Sequence, residues 1–322
     1  MKNRRIKVIN QTAVYHCMSR VVGGQALLDD RAKEVLRKQL WQVADFCGVQ
    51  ILTYCILSNH FHVLVRVPEK QNLSDKELLR RARKLYRRDK AKTQAIADSL
   101  KINDAHAQLM RRQLQARMGD VSNFIKELKQ RLSIWYNQTH QRYGTLWAEC
   151  FKSTLIENKP EALRTVAAYI DLNAVRAGLC KDPLDYRYCG YAEAMGASRP
   201  ARQGLSHIIG SKKWPHTAKT YRMILFGKGY KPKATGQPSL DPAKVKATLA
   251  QGGKLTLPEA LRCRVRYFTD GAVLGSKEFV QTYFEAHREH FGKSRKTGPR
   301  PMTGSDWQNL TVLRNLQTKV IS

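Results

Sequence analysis

Alternation and helical spacing of apolar residues divide the chain into a recognisable series of elements. Residues 12–20 (Thr-Ala-Val-Tyr-His-Cys-Met-Ser-Arg) predict a first strand, ended by Gly23-Gly24. Asp29 or Asp30 caps a helix in which Leu36, Leu40, Val43 and Cys47 recur at helical spacing before Gly48. From Ile51 to Val67 two β-rich runs flank Ser58-Asn59, which predicts strand, tight turn, strand, closed by Pro68. Ser74-Asp75-Lys76-Glu77 offers a capping box into a basic helix, the start of a helical insertion over about 74–118. Val121, Phe124, Ile125, Leu128 and Leu132 then form one apolar helical face that should pack on a sheet, and residues 151–156 supply another strand. This order predicts an α+β fold: a ferredoxin-like split βαβ domain with an antiparallel sheet, spanning residues 1–195.

Beyond that strand, residues 160–178 predict a helix with Pro160 in its first turn and Gly178 at its end. Leu163, Val166, Ala167, Ile170 and Ala174 form its apolar stripe. An aromatic segment over 183–191 should pack back on the same domain. Residues 196–204 read as a linker. A small, mostly helical C-terminal module follows over 205–291, broken at 227–242. Its helices at 258–266 and 276–290 flank Thr269-Asp270-Gly271, a helix-turn-helix-like, nucleic-acid-binding arrangement. The remainder, 292–322, reads as a basic tail, with 292–301 flexible until nucleic acid orders it.

Charge sharpens the picture. The chain holds 57 Lys and Arg against 26 Asp and Glu, a formal net charge of +31 over 322 residues. A polyanionic partner is the economical explanation, nucleic acid first. No run of eighteen apolar residues and no signal-peptide core appears, so no membrane role is expected. Seven scattered cysteines without a Cys-x-x-Cys argue for a reducing compartment, hence a cytoplasmic, nucleoid-associated protein.

Candidate chemistry centres on His60-Phe61-His62. On a strand His60, His62 and Leu64 share one face and Phe61, Val63 and Val65 the other, so the two imidazoles stand side by side. Alone, this weak motif reads more readily as two solvent-facing histidines on a half-exposed strand than as a divalent-metal pair. His16, on the first strand, reads as structural rather than as a ligand. Tyr169 and Asn173 lie four apart on one side of their helix, with Arg176 continuing the row. Trp135, Tyr136 and Tyr143 among Lys129, Arg131 and Arg142 suit either base stacking or packing. Arg80, Arg81, Arg83, Lys84, Arg87 and Arg88 form a basic face suited to tracking phosphates.

Three motifs in order resemble a known family: Ser58-Asn59-His60-Phe61-His62, then Gly144-Thr145-Leu146-Trp147 leading into Phe151-Lys152-Ser153, then Tyr169-Ile170-Asp171-Leu172-Asn173-Ala174-Val175-Arg176-Ala177-Gly178. They are similar to the IS200-like single-tyrosine (HUH) transposases, in particular the REP-associated branch. The resemblance covers roughly residues 6–195. It implies His60 and His62 as ligands of a divalent metal, Tyr169 as nucleophile and Asn173 as third ligand; two imidazoles and an amide suit Mg²⁺ or Mn²⁺, and Lys152 and Arg176 are the expected nucleic-acid contacts nearby. It also implies a single-stranded or hairpin DNA substrate, a 5′-phosphotyrosine intermediate, and a monomer or homodimer. Two positions depart from the family pattern: Ala174 stands in place of a proline, and Cys150 in place of a basic residue. The rival expectations are a DNA- or RNA-binding protein that keeps the fold without cleaving, and a replication or conjugation nickase. A tyrosine phenol titrates near ~10, so lowering it by three units would take about 4 kcal/mol of preferential phenolate stabilisation.

Overall fold

The computed structural model describes residues 6–314 apart from 9, 103, 228–246, 248–250, 252, 253 and 264. Strands β1 (Ala13–Arg20), β2 (Gln50–Ile56), β3 (His60–Val67) and β4 (Lys152–Ile156) lie in the order β2-β3-β1-β4, every neighbour antiparallel. With helix α1 (Asp30–Cys47) between β1 and β2, this is the expected split βαβ sheet. Asp29 is its N-cap, accepting from the Ala32 N–H.

The alternation along β3 works as read. Phe61, Val63 and Val65 face a core built with Leu36, Leu40 and Val43 of α1 and Phe124, Ile125, Leu128 and Leu132 of α5 (Val121–Thr139). Leu64, with Val14 of β1, faces a second core made with α6 (Pro160–Asp171). The tyrosine helix therefore covers the face that carries the histidines.

The insertion forms three helices, α2 (Asp75–Leu85), α3 (Lys90–Lys101) and α4 (Ala105–Ala116). Only half of the capping box forms: Ser74 Oγ accepts from the Glu77 N–H, while the Glu77 carboxylate holds Arg80 and Arg81 instead. The expected single helix over 160–178 is interrupted. It ends at Asp171, and a short turn α7 (Asn173–Arg176) continues after Leu172, closed by Gly178 at φ 71°.

Three expectations beyond residue 195 are corrected. The linker over 196–204 is largely helix: α8 (Gly190–Met195) is followed by α9 (Arg199–Ile209). Ala201, Leu205, Ile208 and Ile209 repeat at i, i+4, i+7 and i+8 and are buried in the second core, so packing overrides the loop-like composition. Gly204 is a packing glycine, since a Cβ there would stand 2.4 Å from the Leu52 carbonyl oxygen. Helix α10 (Trp214–Phe226) completes this layer, and the break expected over 227–242 lies almost wholly outside the described residues.

Nor is there a helix-turn-helix around Thr269–Gly271. The short helices Leu257–Arg262 and Tyr267–Asp270 run into β5 (Gly271–Gly275), which pairs parallel with β4. Ala272-Val273-Leu274 is a buried apolar run that pairs with β4, so it extends the main sheet rather than founding a separate module. The expected basic tail also joins the sheet. Strands β6 (Arg300–Pro301) and β7 (Thr311–Arg314) give the full order β2-β3-β1-β4-β5-β7-β6. Residues 315–322 lie outside the described residues.

Candidate active site

Register brings the site together. Antiparallel pairing sets Met18 opposite His62 and Arg20 opposite His60, and β1 sets Met18 opposite Lys152 of β4. Helix α6 crosses the same face, so Tyr169 arrives beside the imidazoles. Its ring centroid lies 6.1 Å from that of His62, nearly perpendicular, and 6.3 Å from that of His16. One cavity of about 330 Å³ is lined by His60, His62, Tyr169, Asn173, Arg176 and Lys152, along with Arg20, Cys150 and Asp270. Tyr169 as a whole residue is only 2% exposed, packed on Phe268 at 4.6 Å between centroids.

Arg176 ties the polar side of this cavity. Its guanidinium donates to the Leu261 carbonyl and to Asn173 Oδ1, and its Cζ lies 4.1 Å from the Tyr169 ring centroid. Positive charge thus sits against the phenol. Lys152 is half-buried and pairs loosely with Asp270 at 3.8 Å.

Asp171 anchors the end of α6 from behind. Its carboxylate accepts from Thr53 Oγ1, the Tyr191 N–H and Tyr221 Oη, the last at 2.5 Å. Complete burial pushes its pKa up to about 7, although all three donors oppose the rise.

The spacing of His60 and His62 is compatible with a shared metal ion. Their ring centroids are 5.1 Å apart at 80°, and two imidazoles bonded to one ion at ~2.1 Å stand roughly 5 Å apart. His60 Nδ1 is bonded to Asn59 Oδ1 and His62 Nδ1 to His16 Nε2, and both rings line the cavity. Burial first, and then His16, His60 and Arg176, hold His62 well below the usual imidazole range. It is neutral, the form that ligates metal. Asn173 Oδ1 keeps a second lone pair beside the Arg176 bond, and its Nδ2 is buried without a hydrogen-bond partner. Two imidazole nitrogens and an amide oxygen fit a hard or borderline divalent ion that keeps water or phosphate oxygens. Among the described residues no group of three His, Cys, Asp or Glu side chains is arranged to hold a metal.

The basic face of the insertion is elsewhere. Strand β3 runs from His60 at the cavity to Val67, about 23 Å away at ~3.3 Å per residue, and the insertion departs from that far end. It packs on α1, with Arg80 tied to Asp45 and Glu77 and Arg81 to Glu77. Arg83, Lys84, Arg87 and Arg88 are exposed. Of the stacking candidates, Tyr136 is buried and Tyr143 is 95% exposed.

Sequence reasoning passed over Arg20, Phe268 and Asp270. Arg20 was within reach of the β1 alternation, which sets it on the face of His16 and Met18. Phe268 and Asp270 carried no local signal, because they reach the site only through β5.

Residues 10–88 match the family model of the IS200-like transposases. The matched segment holds β1, α1, β2 and β3 with His60 and His62, and ends before Tyr169. The transposase-like segment thus carries the histidine pair, while the tyrosine comes from the chain that follows. Among solved structures the chain is similar to a REP-associated tyrosine transposase bound to a REP hairpin. That match has 14% identity and a TM-score of 0.41, covering 75% of this chain and 99% of the other. No curated protein matches the chain.

Proposed function

We propose that the protein is a metal-dependent single-tyrosine transposase that cleaves and rejoins single-stranded DNA at hairpin sequences. The observation that carries this reading is the meeting of Tyr169, His60 and His62 around one cavity, from a helix and a strand more than a hundred residues apart. In the first step Tyr169 Oη attacks a backbone phosphorus. The P–O3′ bond breaks, a 5′-phosphotyrosine forms, and the released 3′ oxygen takes up a proton as the phenol loses one. Reversal by a 3′-hydroxyl from another strand restores the phosphodiester, so no nucleotide is consumed.

Arg176, held by the Leu261 carbonyl, supplies fixed positive charge beside the phenol. Lys152 and Arg20 line the cavity and favour an anionic strand. A divalent cation such as Mg²⁺ or Mn²⁺, held by His60, His62 and Asn173, would polarise the scissile phosphate and offset charge developing on it. Phe268 and Arg176 fix the Tyr169 ring.

The test is incubation of the full chain with end-labelled hairpin DNA and Mn²⁺, with and without a chelator. A covalent protein–DNA species that appears only with metal supports the reading. The near-complete burial of Tyr169 favours one rival, a nucleic-acid-binding protein that does not cleave. That rival predicts metal-independent binding and no covalent species.

A further inference from the structure

His16 takes no part in the mechanism above, yet it is one of the least exposed polar residues, at 2%, and it touches a proposed ligand. Its Nε2 lies 2.8 Å from His62 Nδ1 and its Nδ1 lies 2.9 Å from the Phe268 carbonyl oxygen. The His16 and His62 centroids are 5.0 Å apart and the planes differ by 23°. With nitrogens at 2.8 Å, the rings therefore meet edge to edge, as an in-plane N–H···N bond requires, rather than face to face.

The proton positions follow from one fixed end. A carbonyl oxygen only accepts, so His16 Nδ1 carries the hydrogen. Both rings are buried near Arg176, and among the described residues neither is bonded to a carboxylate, so each carries a single proton. His16 Nε2 is then an acceptor, and His62 must donate from Nδ1. The remaining lone pair of His62, on Nε2, is left for the cavity.

We propose that His16 is a positioning residue that fixes the tautomer and direction of His62, and that the Phe268 carbonyl sets the far end of this chain of hydrogen bonds. Partners of this kind orient ligating histidines and raise their basicity. Phe268 lies in the short helix before β5, so the C-terminal strands are built into the site: one residue packs its ring on Tyr169 and directs its carbonyl toward His62 through His16. The inference rests on the metal-dependent reading of the cavity.

Two measurements on the full chain test it. In metal-free protein with ¹⁵N-labelled histidine, long-range ¹H–¹⁵N spectra, assigned with a His62→Gln variant, should show His62 protonated at Nδ1 and bare at Nε2. A proton on Nε2 would overturn the proposal. Mn²⁺ affinity, read from the free-ion electron paramagnetic resonance signal, should fall by about 10–100-fold in His16→Phe. It should largely recover in His16→Gln, whose amide can donate to the carbonyl and accept from His62. A merely space-filling role predicts the opposite order, with Phe at least as good as Gln, and that order overturns the proposal. Should the unmodified protein bind no Mn²⁺, the metal reading of the cavity fails, while the resonances still decide the tautomer.

Discussion

Replacing Tyr221 by Phe should destabilise the protein more at high pH than at low pH. Tyr221 Oη donates to Asp171 Oδ2 in a site where both residues are fully buried, which ties α10 to the end of the tyrosine helix. The Asp171 carboxyl, raised from 3.8 to about 7, is protonated in the folded state over a range where the unfolded chain has already ionised. Stability from this group is therefore fully present below pH 3.8 and is lost as pH rises through 7, by about 4 kcal/mol in all. Near pH 8.5 the Tyr221 hydroxyl serves a buried carboxylate, and removing it should cost about 1.5–3 kcal/mol. Near pH 5 it bonds a neutral acid, and the cost should be about 0.5–1.5 kcal/mol. Urea denaturation at the two pH values, compared at unchanged m-value, measures both. The buried histidines titrate alike in both proteins and cancel. Equal losses at the two pH values would refute the reasoning, as would a pH-dependent difference that survives in an Asp171→Asn background.

Other consequences are more local. Gly204→Ala should destabilise the chain by about 1–3 kcal/mol in the same assay, because its Cβ would press on the Leu52 carbonyl; an unchanged midpoint would mean α9 does not pack on β2 as described. Changing Arg83, Lys84, Arg87 and Arg88 together to Ala should weaken hairpin DNA binding and reduce the slope of log affinity against log salt by up to about 3.6. Cleavage at saturating DNA should stay within about twofold, given the separation of this face from His60; an unaltered salt slope would show that the insertion does not touch DNA.

Much of the first domain was legible because its signals are local. The period-two alternation of β3 sorts His60 and His62 onto one face, and the helical spacing in α1 and α5 marks what covers the other. The four-residue interval between Tyr169 and Asn173 survives the interruption at Leu172. What the sequence concealed is non-local. Residues 196–204 look like a linker because Gly196, Pro200 and Gly204 weigh on composition, and only the β2 backbone against Gly204 explains that last glycine. Ala272-Val273-Leu274 is too short to announce a sheet strand until β4 is present to pair with it. His16 reads as structural from its own strand. Its neighbours His62 and Phe268, 46 and 252 residues away, reveal what it contacts.

The direct trial of the central claim is to mix the chain and its Tyr169→Phe variant with end-labelled hairpin DNA and Mn²⁺, and resolve the products on a denaturing gel. The account predicts a DNA-linked protein band, with the tryptic peptide bearing Tyr169 as the modified one, and loss of at least about 10³-fold in the variant, which lacks the attacking oxygen. Undiminished cleavage by the variant, or a covalent link at another residue, would contradict it.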